Sequence, residues 1–271
     1  MGLGLLSPQP LVRSDDSPMI ELGLAQIVLL AVAGFVAGAI NAAAGGGSLV
    51  SFPALILVGY PPLTANVTNN VAVAPGYVTG ATGYRQGLRG QRRRILPLSI
   101  VCFVGSLVGV GLILISSQRA FESVVPFLVL AACVLLAAQP WLGKWLGDRS
   151  GGQEHPGAWA LAGQALAAVY GGYFSAALGV AVLALLGLSF DDTLQRLNAL
   201  KAFLQLVIGV VSAVGFALLA DVAWTAVAVV APATVIGGEI GARLAQKVSD
   251  RVLRVGIVAY GVAAAVWLFL R

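Results

Sequence analysis

The chain has 271 residues, 59% hydrophobic and only 10% charged, with a net charge of +5. An average soluble domain carries about 25% charged residues, and a water-soluble globule of this length cannot cover its surface with so few. This excludes an ordinary cytosolic enzyme, a nucleic-acid reader and a disordered chain, and leaves an all-α, polytopic helical membrane protein in contact with a lipid bilayer. One His and two Cys are too few for a zinc, haem or iron–sulfur site, and no cofactor is expected.

Residues 1–20 contain Pro8, Pro10 and Pro18 among polar groups. They read as a disordered N-terminal extension with no signal-peptide pattern, and Met19 is a second candidate start. No Asp, Glu, Lys or Arg occurs from Leu22 to Tyr84. That run alone exceeds two spans of roughly 20 residues. Long helices are predicted at about 22–44, 63–84, 95–116, 123–143, 157–178, 197–220, 222–246 and 252–270. Two shorter pieces, at about 48–59 and 179–189, reach only half of a ~30 Å hydrocarbon core and read as half-helices. Each follows a break rich in small residues, AGGG at 44–47 and AALG at 176–179.

The two halves resemble each other. GAINAAAG at 38–45 aligns with GYFSAALG at 172–179, and GYPP at 59–62 with SFDD at 189–192. Thr68 falls beside Asn198. Gly105, Gly109, Ser117 and Arg119 match Gly237, Gly241, Ser249 and Arg251 at a constant offset. The pattern predicts a first membrane repeat over 21–146, an interhalf loop at 147–156 and a second repeat over 157–271. The basic loops are not equivalent. Residues 85–94 carry Arg85, Arg89, Arg92, Arg93 and Arg94, whereas their counterpart near 221 carries only Asp221. Around 243–254 lie Arg243, Lys247, Arg251 and Arg254, against Arg119 and Glu122 in the first half. The positive-inside rule then places 85–94 and 243–254 in the cytoplasm and both termini outside, so the repeats are inverted. Inverted repeats are common in secondary transporters, whose sites lie where discontinuous helices meet.

Candidate site residues follow from that expectation. Gly45, Gly46 and Gly47, with Asn41 before them and Ser48 after, would free backbone amides at the start of a short helix, an arrangement that suits an anion. The same glycines also fit a tight turn with no ligand. Asn66, Thr68 and Asn69 open an uncharged span, facing either a watery cavity or neighbouring helices as hydrogen-bonding glue. Asn198, Lys201 and Gln205 share one helix face. Lys201 would attract an anionic substrate, or else snorkel to the boundary and pair with Asp191 or Asp192. Glu239 is a candidate for ion coupling, or the first rung of a ladder with Arg243 and Lys247. Tyr77, Gln164, Tyr170, Tyr173 and Ser175 are further polar groups within spans. Five Trp near span ends read as interfacial anchors. No nucleophile elbow, Walker A loop or HExxH motif occurs, so an enzyme is not expected.

GFVAGAINAAAGGGS at 34–48, FPAL at 52–55, ANVTN at 65–69 and PGY at 75–77 resemble the TauE/SafE sulfite exporter family. So do YGGYF at 170–174 and NALK at 198–201. The resemblance covers about residues 20–270. It implies a multi-pass transporter of the bacterial inner membrane for sulfite, an organosulfonate or a related small anion. The inverted repeats add alternating access as the expected mechanism, and a homo-oligomer is one assembly open to such a chain. The different-class alternative is a non-transporting membrane subunit or assembly factor. The second copy departs from the motif, carrying ALGV at 177–180 where the first carries three glycines.

Overall fold

The computed structural model describes residues 22–43, 45–147, 155–244 and 250–270. Among these residues there are ten α-helices and no strand. They are α1 (Leu24–Ala43), α2 (Ser48–Val58), α3 (Pro62–Gly83), α4 (Arg92–Ile115), α5 (Gln118–Gly147), α6 (Ala158–Tyr173), α7 (Leu178–Ser189), α8 (Leu194–Leu219), α9 (Trp224–Leu244) and α10 (Asp250–Leu270). A 3-10 turn at Arg85–Leu88 separates α3 from α4. A helix stands at each of the ten expected places. The largest boundary differences are five residues each: α5 starts at Gln118, before the expected 123, and α6 stops at Tyr173, before the expected 178. Four helices are long and apolar enough to cross a bilayer by length and composition: α1, α4, α5 and α8. The N-terminal extension, most of the interhalf loop, the Arg243 side chain and Lys247 lie outside what the structure describes.

The short helices turn back on their predecessors. Gln26 Nε2 donates to the Val58 carbonyl at 3.3 Å, so the start of α1 and the end of α2 lie together. At the other end of the molecule, the corner between α7 and α8 meets the loop between α3 and α4. There Arg94 Nη1 donates to Asp192 at 2.6 Å, and Arg196 to the Arg89 carbonyl at 3.1 Å. The corner between α2 and α3, with the first turns of α3, instead meets the loop before α9: Tyr60 and Thr225 hydroxyls lie 3.3 Å apart, and Ala223 N donates to Thr68 at 3.0 Å. The two hairpins α1–α2 and α6–α7 therefore open toward opposite ends, here termed the arginine end (α6–α7) and the far end (α1–α2).

The hairpin tips meet inside the molecule, where Gly179 N donates to the Gly45 carbonyl at 3.2 Å. A Cβ built on Gly45 would stand 2.6 Å from Gly179 Cα. Around this point the helices of the two halves interlock, α1 against α9, α4 against α6, α3 against α8 and α5 against α10. Glycine makes the two closest crossings. Gly38 faces the Thr234 carbonyl and Gly237 that of Phe35 across α1 and α9. Gly109 faces the Val169 carbonyl and Gly172 that of Ser106 across α4 and α6. Backbones approach this closely only where side chains are absent, a common packing device within membranes. Large apolar side chains such as Phe103 and Ile100 on α4, Phe127 on α5, Val214 on α8 and Trp267 on α10 remain exposed on the outside. Lipid is their natural neighbour.

Candidate functional site

The first break is built from glycine and one asparagine. Gly45 takes φ +79°, open to glycine without strain, and its amide returns to the Ile40 carbonyl at 3.1 Å. Asn41 Oδ1 accepts from Gly47 N at 2.7 Å. Leu49 N and Val50 N bond to the Gly46 and Gly47 carbonyls. Much of the amide cluster expected to face a ligand is thus satisfied within the break, and Asn41 is the group that closes it. Gly47 has a packing reason too, since a Cβ there would meet the Ala37 carbonyl.

The second break has no such glycine run. Phe174 ends α6, and Ser175 and Ala177 both take left-handed φ, +62° and +54°. Tyr170 Oη donates to the Ala176 carbonyl at 2.6 Å, and Asn66 Nδ2 to the Tyr173 carbonyl at 2.8 Å. Phe52 of α2 stacks edge-on against Phe174 at 5.2 Å. Both breaks are therefore pinned from the opposite half or from their own hairpin.

Beside the tips, toward the arginine end, lies a small cavity of about 20 Å³, lined among others by Asn41, Tyr77, Tyr84, Lys201 and Gln205. That is room for about one water. Lys201 is 3% exposed, and no carboxylate among the described residues pairs with it. Asp192, one of the two acids that a boundary lysine would use, instead holds Arg94 and Arg196. Gln205 lies one turn further along α8, its amide against Gly179. The Tyr77 ring covers Gly209.

The remaining expected residues divide. Asn69 is fully buried; its Oδ1 accepts from Ser51 at 2.5 Å, while its Nδ2 has no partner. Asn66 and Thr68 serve as ties, Asn66 to the second break and Thr68 to the loop before α9. Asn198 is half-buried and does not line the cavity. Glu239 is exposed on α9, also away from the cavity lining. Ser48 and Ser175 are buried and their hydroxyls make no standard hydrogen bond; the Tyr77 hydroxyl neighbours both. Gly76 and Gly80, which let α3 border the cavity, carry no chemical signal in the sequence.

A second, larger cleft of about 540 Å³ opens at the arginine end, bordered by Arg89, Arg92, Arg93, Arg94 and Arg196. Asp192 organises its rim. Burial pushes that carboxyl's pKa up, but hydrogen bonds from Arg196 and Arg94 outweigh burial and hold it below its ordinary value.

A family model described as Sulfite exporter TauE/SafE matches residues 30–268. A probable membrane transporter protein of Haemophilus influenzae is 33% identical over 46% of this chain and 49% of its own length. The probable membrane transporter protein ORF9 of Sinorhizobium is 28% identical over 46% of this chain and 48% of its own. These matches span about half the length of those relatives. The probable membrane transporter protein YfcA of Escherichia coli is 27% identical over 85% of this chain and 86% of its own length. No solved structure matches.

Proposed function

The chain belongs to the TauE/SafE sulfite exporter family, and from that membership we propose that it is a secondary transporter of a small anion in a bacterial inner membrane. The observation that carries the reading is Lys201: an ammonium 3% exposed, without a carboxylate partner among the described residues, in a cavity beside two meeting helix breaks. A cation inside a span is costly and is normally kept for a counter-ion or a transported charge. The relatives' names, membrane transporter in each case, support the same reading.

In this reading, the two halves are inverted repeats and the arginine end faces the cytoplasm. The opposite openings of the two hairpins and the arginines at 85–94 support both assignments. The cavity holds about one water, so an oxyanion enters only when one half rocks against the other, as alternating access requires. The arginine cleft collects anions at the cytoplasmic mouth. A sulfur oxyanion or a sulfonate is the substrate class the family description suggests, and several acceptor oxygens around one negative charge suit a lysine flanked by amides and hydroxyls.

The test is a flux screen of the purified protein in proteoliposomes against sulfite, sulfate, thiosulfate, sulfonates and carboxylates. Saturable flux of at least one sulfur anion is expected, and Lys201→Met should reduce it at least a hundredfold at equal protein incorporation. Wild-type flux in Lys201→Met removes Lys201 from the site. Absence of flux with every anion favours a non-transporting subunit.

A further inference from the structure

We propose that Ser175, together with Ser48 and the Tyr77 hydroxyl, forms a buried hydroxyl subsite for the oxygens of a small oxyanion whose charge Lys201 balances; this rests on the transport reading above. Ser175 sits at φ +62° and Ala177 at φ +54°, where Cβ crowds the backbone carbonyl and glycine is the usual occupant. The first break meets the same geometric demand with Gly45. A glycine at 175 would relieve the strain, but it would delete a hydroxyl.

Apart from the Tyr77 hydroxyl beside it, that hydroxyl has no polar neighbour to hold. It is buried, with the residue 4% exposed, and has no standard hydrogen-bond partner. In the repeat, Ser175 occupies the place of Asn41, whose side chain is engaged by Gly47 N. Ser48, from the other half, is 2% exposed and equally unpartnered. The Tyr77 hydroxyl neighbours both serines, while its residue also lines the Lys201 cavity. Buried polar groups are nearly always satisfied, so two serine hydroxyls that converge from opposite halves on one tyrosine hydroxyl, without standard bonds and near the Lys201 ammonium, leave bonding capacity for a polar guest. The lysine repels a metal cation, and hydroxyls donate to oxyanion oxygens. The second-half counterpart of Asn41 is therefore a hydroxyl that holds no backbone amide, as Asn41 does.

Ser175→Gly separates the two roles of this residue. In detergent, its melting temperature is expected to rise by about 2–4 °C as the strain is relieved. In proteoliposomes, its half-saturation concentration for sulfite is expected to rise about tenfold or more, the effect of losing a hydrogen bond to a charged ligand. Ala177→Gly should give the same stabilisation with unchanged half-saturation, and Ser48→Ala should raise half-saturation like Ser175→Gly. A stabilised Ser175→Gly with wild-type half-saturation overturns the assignment. If that variant does not fold, wild-type half-saturation in Ser48→Ala overturns it instead. Failure of the wild type to move any sulfur anion overturns the transport reading, and this assignment with it; variants matching a working wild type overturn the assignment alone.

Discussion

At the scale of single residues, the site depends on what the tip glycines lack. A Cβ on Gly179 would stand 2.7 Å from Gly45 Cα and 2.9 Å from the Gln205 amide. Neither backbone can yield without separating the hairpins. Gly179→Ala should therefore cost ~1–3 kcal/mol by overpacking and depress flux further than stability, because Gln205 moves with it. Gly111→Ala, on the same type of apolar helix, meets nothing within 4 Å. It should be neutral or slightly stabilising, since alanine is the better helix former. Thermal melts and flux on both variants check the contrast. At this scale the glycine run at 45–47 and the lone lysine of α8 were legible, because composition and charge mark them. The left-handed Ser175 and Ala177 were not. Neither residue type signals that conformation, which tertiary contact with the opposite hairpin imposes. The duty of Asn41 was also hidden, since an asparagine beside glycines suits a ligand as well as a backbone amide.

At the scale of elements, the corner between α7 and α8 is fastened to the start of α4 by one carboxylate shared between two arginines. Arg94 and Arg196 lie 2.6 Å and 2.9 Å from the Asp192 oxygens, and Gln91 Nε2 adds a bond to the Arg196 carbonyl at 3.1 Å. Among the described residues, the far end has the Tyr60–Thr225 hydroxyl pair and the Ala223–Thr68 bond in the corresponding place, with no ion pair. Asp192→Asn should loosen the arginine end, lowering the melting temperature by several degrees and speeding hydrogen exchange in residues 85–94 and 190–196. Because the folded carboxyl titrates below its ordinary value, this stabilisation is complete above the ordinary carboxylate range. It fades as pH falls through the lower folded value. A melt series from pH 7 down to pH 3 should show the wild type converging on Asp192→Asn. The short helices were legible from their length and the small residues before them. The seat of α2 on α1 was not, because it rests on tertiary contact, the Gln26–Val58 bond at 3.3 Å and Gly47 against the Ala37 carbonyl.

At the scale of the whole molecule, orientation is the testable property. Both native cysteines are buried, Cys102 at 0% and Cys133 at 2% exposure, so an introduced cysteine can report its own side. In right-side-out vesicles, a membrane-impermeant maleimide should label Ser117→Cys and leave Arg89→Cys unlabelled until the membrane is permeabilised. The reverse pattern sinks the orientation proposed above. Ten charges in a hundred were enough to suggest this arrangement, because they cluster in non-equivalent loops. The interlocking of α1 with α9 and α4 with α6 was not legible, although its glycines were the residues that matched between halves. Matching glycines indicate close approach without naming the partner.

That interlocking also has a timetable. The face of α4 meets its partner α6 soon after synthesis, since only a short stretch of chain separates them. The face of α1 waits for α9, and about 180 residues separate Ala43 from Trp224. At roughly 5–20 residues per second, the glycine groove of α1 stays without its native neighbour for about 10–40 seconds in every round of translation. Two crossings that look alike in the finished molecule are thus made at very different moments, and the one made last belongs to the hairpin made first.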